Sequence, residues 1–245
     1  MITEIYWSVV IFFGALLLGY LVLPKIVKAG IFHIFIQHTT EFESDWRDRI
    51  LKPFTDRMNF VTPNVVTLIG FFLVFLLVYF FSKDASTPLI FWTAILAGFT
   101  DMLDGSLARN SKRVTKLGAA LDVTRDIFLA FVLSYFLLQK GILTASLFAW
   151  FFTGYFFLFI IRMFEFRASG GGFFSAKEDF KFVLDRMRLF LYILGILALI
   201  LLPVYPSIGT LGEAAIIISI ILSWASVLFH SAHLKILKQE KLSSI

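Results

Sequence analysis

Apolar runs of about 20 residues recur along the chain, and short segments rich in lysine and arginine separate them. That is the length an α-helix needs to cross the hydrocarbon of a bilayer. The runs predict seven spans, at about residues 4–24, 64–82, 88–109, 117–139, 143–166, 185–203 and 209–232. Lipid offers backbone groups no hydrogen-bond partners, so only helices and closed barrels cross it. The ten-residue alternation of a barrel is absent. The pattern therefore predicts an all-α, polytopic membrane protein. Residues 26–62 mix apolar and charged positions without reaching span length, which predicts one or two interfacial helices.

Helix starts are marked in the same pattern. Thr62-Pro63 and Thr87-Pro88 each pair a capping hydroxyl with proline at the first helical position. Ser175-Ala176-Lys177-Glu178 fits a capping box at the head of the sixth span. Ser169-Gly170-Gly171-Gly172, just before it, reads as a cytoplasmic linker. No internal repeat and no second soluble domain is visible.

Composition agrees with the periodicity. Of 245 residues 59% are hydrophobic, 31 of them phenylalanine, and the mean hydropathy is +0.86. A soluble domain of this size has no place to hide that much apolar surface. Cysteine is absent, which excludes disulfides, thiolate catalysis and cysteine-ligated zinc. The formal charge of +5 is no nucleic-acid signal here, because basic residues in a membrane protein mark cytoplasmic loops and anionic lipid. Nineteen of the 22 lysines and arginines fall in 25–62, 109–116, 162–188 and the C-terminal tail; Lys83 and Lys140 lie opposite, and Arg125 is inside a span. By the positive-inside rule the N-terminus is outside and the C-terminus cytoplasmic. The first run lacks a basic start and is followed by Lys25 and Lys28, so it reads as an anchor and not as a cleaved signal.

Against this background Asp101, Asp104, Asp122 and Asp126 stand out. A carboxylate in hydrocarbon costs roughly 2.5–3.5 kcal/mol on insertion scales. Asp101 and Asp104 share one helical face with Gly105 and Ala108, and Asp122 and Asp126 share another with Gly118 one turn earlier. Two helices joined by a short basic loop thus present two carboxylate pairs. Bound cations, a proton or ion path in a transporter, and a polar helix–helix clamp are the readings open to such a set. Oxygen-only donors suit magnesium, manganese or calcium. Asp101 lies 13 residues beyond Pro88, or ~20 Å along the helix, which puts it about 10 Å inside the cytoplasmic boundary of a ~30 Å core. Arg109, Lys112 and Arg113 stand at the mouth of the expected cavity, suited to an anionic ligand. Arg125 can snorkel, pair with an acid of another helix or meet an anionic acceptor. Arg162 and Arg167, at the end of the fifth span, are further acceptor candidates. His33, His38, His230 and His233 lie at interfacial or terminal positions without carboxylates at ligand spacing, and are read as non-catalytic.

The spacing Asp-x2-Asp-Gly-x2-Ala-Arg-x8-Gly-x3-Asp-x3-Asp is met at Asp101, Asp104, Gly105, Ala108, Arg109, Gly118, Asp122 and Asp126. It resembles the signature of the CDP-alcohol phosphotransferases, membrane enzymes of phospholipid synthesis. The resemblance extends to Thr62-Pro63-Asn64 and covers about 61–232, leaving out 1–60. It implies a six-helix catalytic core over 61–245, with 1–60 as an added transmembrane anchor and interfacial segment. It also implies transfer of a phosphatidyl group from a CDP-linked lipid donor, above all CDP-diacylglycerol, to a small alcohol with release of CMP. Glycerol 3-phosphate, inositol or inositol phosphate are the acceptors favoured by the basic surroundings. A CDP-choline or CDP-ethanolamine donor with diacylglycerol as acceptor is the alternative, and a carboxylate-dependent transporter a remote one.

By motif position, Asp101, Asp104, Asp122 and Asp126 resemble ligands of two divalent cations, Mg2+ or Mn2+, with Asp126 also the general base. Gly105, Ala108, Arg109 and Gly118 resemble CDP-donor contacts, joined by Asn64 and Thr67. Arg113, Arg125, Arg162 and Arg167 are left for the acceptor. The resemblance further implies a homodimer working on membrane lipid, its site facing the cytoplasm, with no nucleic-acid partner.

Overall fold

A computed structural model describes residues 2–26, 48–58, 61–111, 113, 115–168 and 183–243. Among them every regular element is a helix or helical turn, as the apolar runs predict. Helix α1 (Ile2–Leu17) continues through a π-helical turn (Leu18–Val22) into a final turn (Leu23–Ile26). A short helix at 48–57, α2, falls in the segment expected to be interfacial. Then come α3 (Pro63–Ser82), α4 (Thr87–Asn110), α5 (Lys116–Gln139), α6 (Ala145–Ala168), α7 (Val183–Ile200) and, after a 3-10 turn at Pro206–Ile208, α8 (Gly209–Ser243).

Among the described residues, four stretches are long and apolar enough to cross a membrane: Ile2–Val22, Pro63–Ser82, Ala145–Glu165 and Pro206–Gln239. The helices at the other three expected spans, α4, α5 and α7, are those that carry Asp101 and Asp104, Asp122 and Asp126, and Asp185 with Arg186 and Arg188. Their buried charge lowers their apolarity, and their polar chemistry has the same origin.

The expected proline starts are present, but the capping detail differs. Thr62 is extended (φ −80°, ψ 142°) ahead of Pro63, yet its hydroxyl makes no capping bond. Ser86, one residue earlier than expected, is the N-cap of α4, and Thr87 is already helical. Proline's fixed φ at the first turn sets both starts without a side-chain bond. A capping hydroxyl does act at α5, where Thr115 Oγ1 accepts from the Gly118 amide at 3.0 Å. The expected capping box at 175–178 and the glycine linker at 169–172 lie outside the described residues.

The chain divides into two compact units. One contains α1, α6, α7 as far as Tyr192, and α8 from Ala214. Phe12 stacks on Phe157 at 4.2 Å between centroids, and Ser8 and Thr153 share a hydrogen bond of 2.8 Å, both joining α1 to α6. Gly19 lets α1 lie against α8, since a Cβ there would collide with the Leu228 carbonyl and the Ser231 side chain.

The other unit contains α2 to α5 and the stretch Ile193–Glu213, which holds the end of α7, the 3-10 turn and the start of α8. Phe81 on α3 stacks on Phe136 of α5 at 4.6 Å, and Val74, Leu77, Ala97 and Leu133 fill the interior. At one end Asp84, in the left-handed region at φ 48°, accepts a 2.7 Å bond from Lys140 Nζ, which holds the Asp84 carboxyl below its usual range. The four aspartates belong to this unit.

Candidate metal centre

The helical spacing of α4 and α5 brings the carboxylates together. One oxygen each from Asp101, Asp122 and Asp126 lies within 4.8 Å of the other two. Helix α4 supplies Asp101, and successive turns of α5 supply Asp122 and Asp126, as the i, i+4 spacing requires. The side chains of Asp101 and Asp122 are 36% and 41% exposed, so the triad opens to one side, while that of Asp104 is 4% exposed.

Asp104 plays a different part from the triad. Its Oδ2 accepts from Thr67 Oγ1 at 2.7 Å and from Arg125 Nη1 at 2.5 Å. Its Oδ1 is buried with no hydrogen-bond partner among the described residues. A buried, unpartnered carboxylate oxygen is costly. Together with an all-oxygen triad it fits a hard divalent cation, the class that Mg2+ and Mn2+ represent.

Arg125 is at the centre of the cluster and has no exposed side-chain surface. Its Nη2 donates to Asp101, to Asp122 at 2.8 Å and to Asp126 at 3.3 Å, while Nη1 serves Asp104. Of the roles open to it from sequence, pairing with acids of another helix is the one observed. Gly70 on α3 makes room for it: a Cβ there would lie 2.7 Å from Arg125 Cδ and from Thr100 Oγ1.

Arg109 is held by a residue the motif does not include. Asp48 on α2 accepts from Arg109 Nε at 2.8 Å and Nη2 at 2.7 Å, and its Oδ1 also accepts from Ser106 at 2.7 Å. Two helical turns along α2, Thr55 accepts from Asn110 at 2.8 Å. Helix α2 thus braces the end of α4. Asp48 lies between Arg47 and Arg49 in the sequence, a local pattern that reads as solvated charge and signals no partner 61 positions away.

The remaining motif positions differ in how tightly they are enclosed. A Cβ on Gly118 would sit 3.0 Å from Thr115 Oγ1 and 3.1 Å from Asn64 Oδ1, so this glycine lets α3 and the start of α5 meet. A Cβ on Gly105 would find only the Arg109 guanidinium nitrogens, at 3.5 and 3.8 Å. Arg113 is exposed between α4 and α5. Arg162 and Arg167 belong to the other unit, where Arg162 approaches Asp185 at 3.5 Å and Arg167 is exposed.

The reading of the histidines needs correction at two positions. His230 Nδ1 lies 2.6 Å from Glu165 Oε2 and its Nε2 3.0 Å from Asp185 Oδ2, and His233 Nδ1 lies 3.0 Å from Glu165 Oε1. Both histidines are buried with carboxylate partners. The partners come from α6 and α7, too far along the chain for any spacing rule to reveal. His33 and His38 lie outside the described residues.

Membrane-length apolar helices and a half-buried cluster of aspartates that could hold a cation define a class: helical membrane proteins with an acidic polar site. The sequence pattern of the CDP-alcohol phosphatidyltransferases matches residues 60–230, and the chain belongs to that family. A protein of Aquifex aeolicus (strain VF5), described as uncharacterized, is 38% identical over 90 residues, which make up 33% of this chain and 45% of that protein. The chain therefore spans less than half the length of that relative. That family is one of transferases acting on a CDP-alcohol.

Proposed function

We propose that the protein transfers a phosphatidyl group from CDP-diacylglycerol to a small polar alcohol and releases CMP. The observation that carries this reading is the convergence of Asp101, Asp122 and Asp126 into one triad within the family's motif. Asp101, Asp122 and Asp126, with Asp104 through its unpartnered oxygen, are the residues that would hold two divalent cations. When bound, such cations neutralise a diphosphate and stabilise charge on the departing CMP.

The other steps belong to the protein's own groups. Gly105 leaves α4 bare where no neighbour demands a glycine, and the donor's diphosphate is the occupant that explains this gap. Arg109, aimed by Asp48, is the cation assigned to the same phosphates. Asn64 and Thr67, with Ala108 and Gly118, frame the nucleotide side. Asp126 accepts the proton of the acceptor hydroxyl as that oxygen attacks the β-phosphorus. The bond from that phosphorus to the CMP oxygen breaks, and the electron pair leaves with CMP. Arg113, in the same unit as the aspartates, is the basic residue assigned to an anionic acceptor such as glycerol 3-phosphate or inositol phosphate. The site faces the cytoplasm, as the lysine and arginine distribution supports. In this reading 61–245 is the catalytic core and 1–60 its membrane anchor and brace.

Purified protein given Mg2+ or Mn2+, CDP-diacylglycerol and a panel of alcohols should release CMP with one or a few of them. Silence with every CDP-linked donor and every alcohol would sink the enzyme reading. Aspartate-dependent solute flux in vesicles without CMP release would replace it with transport.

A further inference from the structure

We infer that Arg125 is a built-in counter-ion of the metal centre, competing with divalent cations for the same carboxylates and holding the site together before metal arrives. The inference rests on the proposed metal role of the aspartates and adds a residue that the family motif does not contain.

Three features of the site carry it. First, Arg125 Nη2 binds Asp101, Asp122 and Asp126, the same three residues whose oxygens lie within 4.8 Å of one another. A divalent ion of the magnesium class needs carboxylate oxygens at about 2.0–2.1 Å, so it cannot share the middle of the triad with a guanidinium nitrogen. Loading the triad requires Nη2 to withdraw.

Second, the packing is shaped around this arginine. Its side chain is fully buried, and Gly70 on the facing helix is the position where an added methyl would strike Arg125 Cδ. An arginine that merely snorkelled past the helix would need no such gap.

Third, the charges need it. Four clustered carboxylates repel one another, and an uncompensated buried charge is strongly destabilising. Arg125 contacts all four. The chain can therefore fold and insert without metal, at the cost of a weaker metal site. Its guanidinium, always charged and forked, can bridge several carboxylates, whereas a lysine ammonium is a point charge on a flexible stem.

The test uses the full-length protein in nanodiscs and Mn2+ alone, with free Mn2+ read by electron paramagnetic resonance and unfolding read by heating in chelator or in Mn2+. Arg125→Ala should bind Mn2+ on the order of tenfold more tightly than wild type. It should also melt earlier in chelator and gain more from added Mn2+. Gly70→Ala, which leaves every charge in place but crowds the guanidinium, should tighten Mn2+ in the same direction. Arg125→Lys should fall between wild type and Arg125→Ala. Should Arg125→Ala fail to fold without metal, Gly70→Ala and Arg125→Lys decide. Affinity in the variants equal to wild type or weaker overturns the inference. CMP release by wild type in the same nanodiscs separates the two readings: release with unchanged variant affinities sinks the Arg125 inference alone. A wild type that neither binds Mn2+ nor releases CMP sinks both.

Discussion

Asp104 and Asp126 belong to one motif, on α4 and α5, yet their surroundings give them different work. Asp126 belongs to the open triad, whereas Asp104 is buried and tied to Thr67 and Arg125. Asp126→Asn should abolish CMP release while the variant still binds a CDP-linked donor; full turnover would remove Asp126 as the base. Arg109 tests a different dependence. Its guanidinium is aimed by Asp48, so Asp48→Ala should raise the donor KM on the order of tenfold and change kcat less. A purely structural role for Asp48 would lower the amount of folded enzyme and leave KM alone. Asp48 itself was not legible in the sequence, because an aspartate between two arginines looks like surface charge. The four motif aspartates were legible, because apolar runs make any carboxylate conspicuous.

At the scale of elements, the helices follow from apolar length and proline placement, while their capping follows from local geometry. The Thr115 hydroxyl closes the first turn of α5, one turn before the triad begins. Thr115→Ala should therefore cost about 0.5–2 kcal/mol of stability, read as a lower midpoint of unfolding in detergent. Thr62→Ala, which removes a hydroxyl with no capping bond, should cost clearly less. Equal losses would mean that the α5 cap contributes nothing beyond propensity. A metal held by Asp101, Asp122 and Asp126 would act at this scale too, by joining α4 to α5. A chelator should stop CMP release, and Mn2+ or Mg2+ should restore it; turnover that survives exhaustive chelation would show that the triad works without metal.

Among the described residues each unit holds a cluster of paired charges, and that of the unit without the triad is buried. In the unit without the triad, Glu165 from α6, Asp185 from α7, and His230 and His233 from α8 join three helices. Both ring nitrogens of His230 face carboxylate oxygens, an arrangement in which both donate only as imidazolium. Removing one partner of a buried charged pair costs about 3–5 kcal/mol, so His230→Ala should sharply lower the unfolding midpoint, and His230→Gln less so. A surface pair behaves otherwise. Asp84 and Lys140 are exposed, and Asp84→Asn should leave the midpoint essentially unchanged.

Hydrophobic length determined the helical membrane class from sequence alone and made the four aspartates conspicuous, and their motif's resemblance to a known family pointed to the family. Those features are local: a helix repeats every 3.6 residues, so residues three or four apart must share a face. Pairings between helices were decided only by the tertiary structure. Arg125 entered the reading as a charge with several possible fates, and it became the hub of four carboxylates through the packing of α4 and α5 and the gap at Gly70. Asp48 gained Arg109, and His230 gained Glu165 and Asp185, across separations no periodicity encodes. Burial forces each such charge to find a partner, and which partner depends on which helices the fold sets side by side.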